Sequence, residues 1–203
     1  IGKGVNYATY RSLESSPNPT VQTDLERLNL VPTFGNPASD NLLSCFQQNN
    51  IPTVPIGRLS VVNADEVAIY LKKVKDYEVS QAFSSPYIAD KAWIKNIIHV
   101  VGADNGDLQK VLNQLMDNYK AIISDTLFGG SVNTFSKTST ETAEQINSQR
   151  LQNLFQEGLS IILYFGHSSA SSFEFNLDDP MSYNNFGKYP IFITLGCNAG
   201  NLY

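Results

Sequence analysis

The chain has 203 residues, of which 42% are hydrophobic and 11% aromatic, enough to bury a core in one large domain or one and a half small ones. Charged residues make up only 16%, the net charge is −5 and the pI is about 5.0. This balance argues against a nucleic-acid surface, which needs clustered Lys and Arg, and no run approaches the roughly 18 apolar residues of a membrane-spanning helix. Ile1 is followed at once by Gly-Lys-Gly, without an initiator Met or a leader, so the chain reads as a piece of a longer protein.

In chain order, residues 1–40 read as irregular and turn-rich, punctuated by Gly2, Gly4, the Ser/Pro stretch at 15–19 and the Gly/Pro stretch at 34–37. Residues 51–62 are extended and kinked by Pro52 and Pro55. A helix is expected next. Asn63 is its candidate N-cap, Glu66 stands three residues on, and Val67, Tyr70, Leu71, Val74 and Tyr77 recur at helical spacing. Lys72, Lys73 and Lys75, with Asp76 and Glu78 beside them, read as a solvated helix face. Residues 80–92 read as a linker.

The second half alternates. A buried strand is expected over 95–103 and a helix over 107–119, with Leu108, Val111, Leu112 and Leu115 on one face. A strand at 120–124, a Gly/Ser/Thr-rich loop at 125–138 and a helix over 140–157 follow. That helix turns Ile146, Leu151, Leu154 and Phe155 inward and ends at Gly158. Strands are expected at 159–165 and 190–195. The order implies an α/β fold with a mostly parallel sheet flanked by helices. The apolar strands lack alternation, as they do where both sheet faces are covered.

Sites in open α/β sheets lie beyond the carboxyl ends of the strands. The strand at 159–165 runs into Gly166-His167-Ser168-Ser169, and the strand at 190–195 into Gly196-Cys197-Asn198-Ala199-Gly200. If the two strands are parallel neighbours, His167 and Cys197 emerge at one edge. A thiol is a weak nucleophile until it ionises, an imidazole can take its proton, and the same imidazole can protonate a leaving amine. The backbone N–H groups of Ser168 and Cys197 are the candidate oxyanion hole.

Other groups carry competing readings. Cys45 and Cys197 are the only cysteines, and a disulfide between them is the alternative to a reactive Cys197. His99 and Cys45 sit in apolar runs and read as core residues. Asp104, Asn105 and Asp107 follow the strand at 95–103. They read either as a helix start or as an acid that orients His167 or receives a basic substrate side chain. Asp178 and Asp179 read as an acidic surface loop rather than metal ligands. Gly-His-Ser-Ser is not the serine-hydrolase elbow.

These segments also resemble the gingipain-type C25 cysteine peptidases, which have a caspase-like fold. ILYFGHSS at 162–169 is similar to that family's strand ending in Gly-His-Gly. YPIFITLGCNAG at 189–200 is similar to the strand that ends in its nucleophilic Cys. VPIGRLSVVNADEVAIYLKKVKDYE at 54–78 resembles its Val-Gly-Arg-Leu segment and following helix, and PASDN at 37–41 and IGKGVNY at 1–7 add smaller matches. The flavour is closest to the sortase-like branch of the type IX secretion system.

The resemblance implies His167 as general base and acid, Cys197 as nucleophile and Asp104 as the acid that supports the His. It divides the chain into a truncated N-terminal α/β subdomain over 1–85 and a caspase-like catalytic subdomain over 86–203 that stops soon after the nucleophile. Such a piece can fold yet be inactive. The implied function is cysteine-type endopeptidase action on exported or extracellular proteins. The alternative is a sortase-like transpeptidase or a catalytically silent scaffold domain of the secretion machinery. The implied partners are a polypeptide substrate and that machinery, and the implied location is extracellular or on the outer surface of a bacterium. The implied chemistry requires no cofactor, and it leaves room for a structural calcium ion whose ligands the residues do not reveal.

Overall fold

The fold is described from a computed structural model that covers residues 1–35, 38–45, 51–103, 105–137, 144–145, 149–169, 173, 175–176, 180–197 and 199. The chain clusters into two compact units, Ile1–Leu71 and Lys72–Gly200.

The first unit opens with two helices, α1 (Tyr7–Glu14) and α2 (Pro19–Leu28), where an irregular segment is expected. Their signals are local. The Asn6 side chain accepts from the Thr9 N–H at 2.8 Å, and the Asn18 side chain accepts from the Thr20 N–H at 3.0 Å. Pro19 occupies the first helical position, where its missing N–H costs nothing. Within the Ser/Pro stretch at 15–19, Ser15 ends α1 while Asn18 and Pro19 start α2. The 51–62 segment is extended, and its Leu59 and Val61 carbonyls accept from the Gly2 and Lys3 N–H groups.

Arg58 organises this unit. Its guanidinium is 6% exposed and grips Asp40 with two bonds, from Nε at 2.7 Å and from Nη2 at 2.6 Å. The other three N–H groups donate to the carbonyls of Gly2, Val31 and Pro32 at 2.8, 2.7 and 3.2 Å. All five donors of the fork are used, which is what makes a buried charge tolerable.

Helix α3 (Ala64–Ala82) starts as expected. Asn63 Oδ1 accepts from the Glu66 N–H at 2.9 Å, and the Glu66 carboxylate reaches back to the Val62 N–H at 2.9 Å. Its expected inward face is not buried. Val67 and Val74 are half-buried, while Tyr70, Leu71 and Tyr77 are exposed. The apolar residues of α3 include Ile69 and Val79 as well, so they are spread around the helix instead of forming one stripe. The lysine cluster is solvated, with Lys72 paired to Asp76 at 2.6 Å.

The second unit holds the sheet. Strand β1 (Asn96–Gly102) is buried along almost its full length. Helix α4 (Gly106–Ile123) follows, with Asn105 as its N-cap. The strand expected at 120–124 is instead the last turn of α4, closed by Ser124. The next strand is β2 (Ser131–Ser136), inside the segment read as a loop. Apolar runs do not distinguish a short buried strand from the end of a buried helix, whereas pairing to β1 makes a strand of the polar SVNTFS. On α4, Leu112 and Met116 are buried and Leu108 packs beside them, but Val111 is exposed. The buried face thus follows the i, i+4, i+8 row.

Beyond a two-residue strand β3 (Glu144–Gln145), helix α5 (Gln149–Glu157) buries Leu151, Leu154 and Phe155 as expected, and Gly158 closes it at a φ of 103°. Ile146 and the start of the helix expected from 140 lie outside the described residues. Strands β4 (Ile161–Gly166), β5 (Phe175–Asn176) and β6 (Ile191–Leu195) complete the unit.

The main sheet has the order β2-β1-β4-β6 and is parallel throughout. Helix α4 covers one face, against Val101, Ala103, Leu163 and Phe165. Helix α5 covers the other, against Ile98, Val100, Ile162 and Tyr164. A four-stranded parallel sheet between helices is consistent with a caspase-like α/β fold. β6 lies at the sheet edge, with most of its residues exposed.

His99 is a core residue, 0% exposed on β1. Neither ring nitrogen has a hydrogen-bond partner of good geometry among the described residues. Burial pushes its pKa below the usual 6.5, the nearby Lys120 charge adds to that, and Asp117 and the Met116 carbonyl oppose it. A base whose folded pKa is depressed binds fewer protons folded than unfolded. Its neutral burial is therefore tolerated above pH 6.5, and stability is lost as pH falls below that value toward the folded pKa. Urea unfolding at pH 7.5 and pH 5 is expected to show this loss, and His99→Phe, which has no proton to take up, is expected to flatten it. An equal acid slope in both proteins would assign the loss to other groups.

Candidate active site

β1 leads outward to β2, and the chain then returns past β1 to β4, so the strand order reverses between β1 and β4. The carboxyl ends of strands at such a switch point open a crevice. His167 follows β4 directly, and Cys197 stands two residues past the end of β6, on the neighbouring strand. Parallel pairing from Ile161↔Ile191 to Phe165↔Leu195 makes both strands end at the same level. Both residues are exposed. Asp104 lies at the end of β1 in the chain and outside the described residues, as do Asp178 and Asp179. Both cysteines are free thiols, Cys45 half-buried with Sγ 3.2 Å from the Asn41 carbonyl oxygen.

The loop carrying His167 is pinned from two sides. Its N–H donates to the Gly102 carbonyl at 3.0 Å, and its own carbonyl accepts from the Tyr164 hydroxyl. Tyr164 is fully buried among the α5 residues, so the anchor is rigid. Gly166 pairs with Gly102 on β1, and a Cβ at Gly166 would lie 2.0 Å from the Gly102 carbonyl oxygen. Glycine is therefore required here for the two strands to approach just before the His. The loop carrying Cys197 meets the histidine loop directly, where the Ser168 hydroxyl donates to the Cys197 carbonyl at 2.6 Å.

Neither the Ser168 nor the Cys197 N–H donates to another described residue. Beneath the two loops lies an aromatic cluster. Tyr164 packs on Phe173 at 4.3 Å between ring centroids, and Phe173 meets Phe192 edge-on at 5.6 Å. The sequence singles out His167 and Cys197 as candidates but not the Tyr164 and Ser168 hydroxyls that bond their backbone carbonyls. The signal for one of them was present, since Ser168 stands where the resembled family has Gly.

The model of peptidase family C25 matches residues 2–203. The chain belongs to this family, the gingipain family of cysteine peptidases. Comparisons with curated proteins and with solved structures gave no match. In this C25 chain β1, β4 and β6 are parallel, so their carboxyl ends lie at one edge of the sheet. A cysteine peptidase implies a polypeptide substrate. No helix among the described residues is long and apolar enough to cross a membrane.

Proposed function

We propose that Cys197 is the nucleophile and His167 the general base and acid of a thiol endopeptidase centre. The reading is carried by one observation: on adjacent parallel strands, the loops bearing these residues touch at 2.6 Å through Ser168. His167 takes the thiol proton as Cys197 attacks the peptide carbonyl. The N–H groups of Ser168 and Cys197 receive the oxyanion. The C–N bond breaks, His167 returns the proton to the leaving amine, and an acyl-enzyme remains. Water then attacks, giving its proton to His167, and releases a carboxylate and the thiol. An amine in place of water gives transpeptidation. Asp104, after β1, is the proposed acid that orients the imidazole.

The proposed substrates are exported or extracellular proteins, met at the bacterial cell surface in association with secretion machinery. Iodoacetamide labelling of the full-length protein tests the nucleophile, with Cys45 as the internal reference. Cys197 is expected to react at least about tenfold faster. Equal rates would remove the support for activation by His167. The second reading, a silent scaffold, rests on Ser168 in place of Gly. Normal secretion in a strain carrying Cys197→Ala would favour it.

A further inference from the structure

We propose that the side chain of Ser168 is a positioning residue that ties the nucleophile loop to the histidine loop. The proposal rests on the reading of Cys197 and His167 as the reacting pair. Ser168 follows His167 directly, and its hydroxyl donates to the carbonyl of Cys197 itself at 2.6 Å. A single side chain therefore links the backbones of the two reacting residues. Their own strands hold them only as far as Gly166 and Leu195. Beyond those points each loop needs its own anchors. The histidine loop has the Tyr164 hydroxyl and the Gly102 carbonyl, whereas the Cys197 carbonyl has the Ser168 hydroxyl.

The space around the bond is shaped to admit it. A Cβ at Gly196 would lie 2.3 Å from Ser168 Oγ and 2.9 Å from Ser168 Cβ, with the Tyr164 ring at 3.3 Å. Gly196 shows no left-handed backbone that would by itself demand glycine. Its lack of a side chain is instead what leaves room for the hydroxyl. Ser168 and Gly196 thus form a matched pair: a side chain at one position excludes a side chain at the other. The hydroxyl is committed as a donor to Cys197, so its contribution to the oxyanion is through the backbone N–H alone.

Preorganisation of this kind acts on the chemical step, because a displaced nucleophile binds substrate as before but attacks less often. Kinetics in the full-length protein test it, with a peptide substrate drawn from a mixed library and rates normalised to titrated active sites. Ser168→Ala is expected to lower kcat about tenfold and to leave KM within about twofold, the scale of one well-placed hydrogen bond. Ser168→Thr, which keeps the hydroxyl, is expected to recover most of kcat. Gly196→Ala is expected to expel the hydroxyl and to lower kcat to a similar degree. Combined with Ser168→Gly, it should add less than about twofold, because the bond is already gone.

Losses that multiply in the double variant, or a kcat unmoved by Ser168→Ala while Cys197→Ala is inactive, would overturn the tie and leave the reacting pair standing. Full activity in Cys197→Ala would overturn the reading of the pair, and the tie with it.

Discussion

Cys197→Ala is expected to abolish peptide hydrolysis, lowering kcat by about three orders of magnitude or more, with the fold intact. The size follows from covalent catalysis, because removing the nucleophile removes the pathway and not one contact along it. The fold is expected to survive because Cys197 is exposed and lies beyond the end of β6, outside both core clusters. His167→Ala should cost a similar amount, since an imidazole that no longer takes the thiol proton leaves the thiol weak. The two losses should not multiply. Groups acting as one unit fail together, so the double variant is expected to match the worse single one. Circular dichroism and initial rates on the same preparations measure both halves. Substantial hydrolysis by either single variant would sink the assignment of that residue.

The second large effect lies far along the chain, in the first unit. Arg58→Ala is expected to destabilise that unit by about 3–5 kcal/mol, read as a shift of the urea midpoint. The Asp40 carboxylate would lose both of its bonds to the guanidinium while remaining only 16% exposed. The carbonyls of Gly2, Val31 and Pro32 would lose a donor at the same time. Arg58→Lys is not a conservative rescue, because an ammonium cannot present the planar fork that spans Asp40 and three carbonyls. It should recover only part of the loss. A change below about 1 kcal/mol for Arg58→Ala would mean that water replaces the guanidinium without cost, contrary to its burial.

This cluster gives meaning to two segments that the sequence marks without connecting. In the sequence, PASDN at 37–41 and VPIGRL at 54–59 stand out as separate family-like stretches, the second within an extended segment. Asp40 and Arg58 are 18 residues apart, and nothing in periodicity predicts that they pair. The bond depends on how the intervening chain turns back.

The two helices near the start were legible in hindsight from Asn6 and from Asn18-Pro19, which are helix-start signals and not turn signals alone. The slip at 120–124 has a different origin. Apolar residues at the end of α4 look like a strand, and the polar β2 looks like a loop, until β1 supplies the hydrogen bonds.

The sequence by itself determined β1, α4, α5, β4 and β6 in the second half, the burial of β1 and of the α5 face, and the family. It also singled out His167 and Cys197, because small residues and a reactive group at a strand end form a local pattern. Tertiary structure alone decided that β4 and β6 are parallel neighbours, so that these residues leave the sheet at one edge. It alone decided that α4 and α5 lie on opposite faces, which puts the reversal of strand order beside β4. It also decided that Ser168 bonds the Cys197 carbonyl across 29 residues. Patterns along a chain report propensity and burial, whereas a hydrogen bond between distant loops depends on where pairing and packing bring them in space.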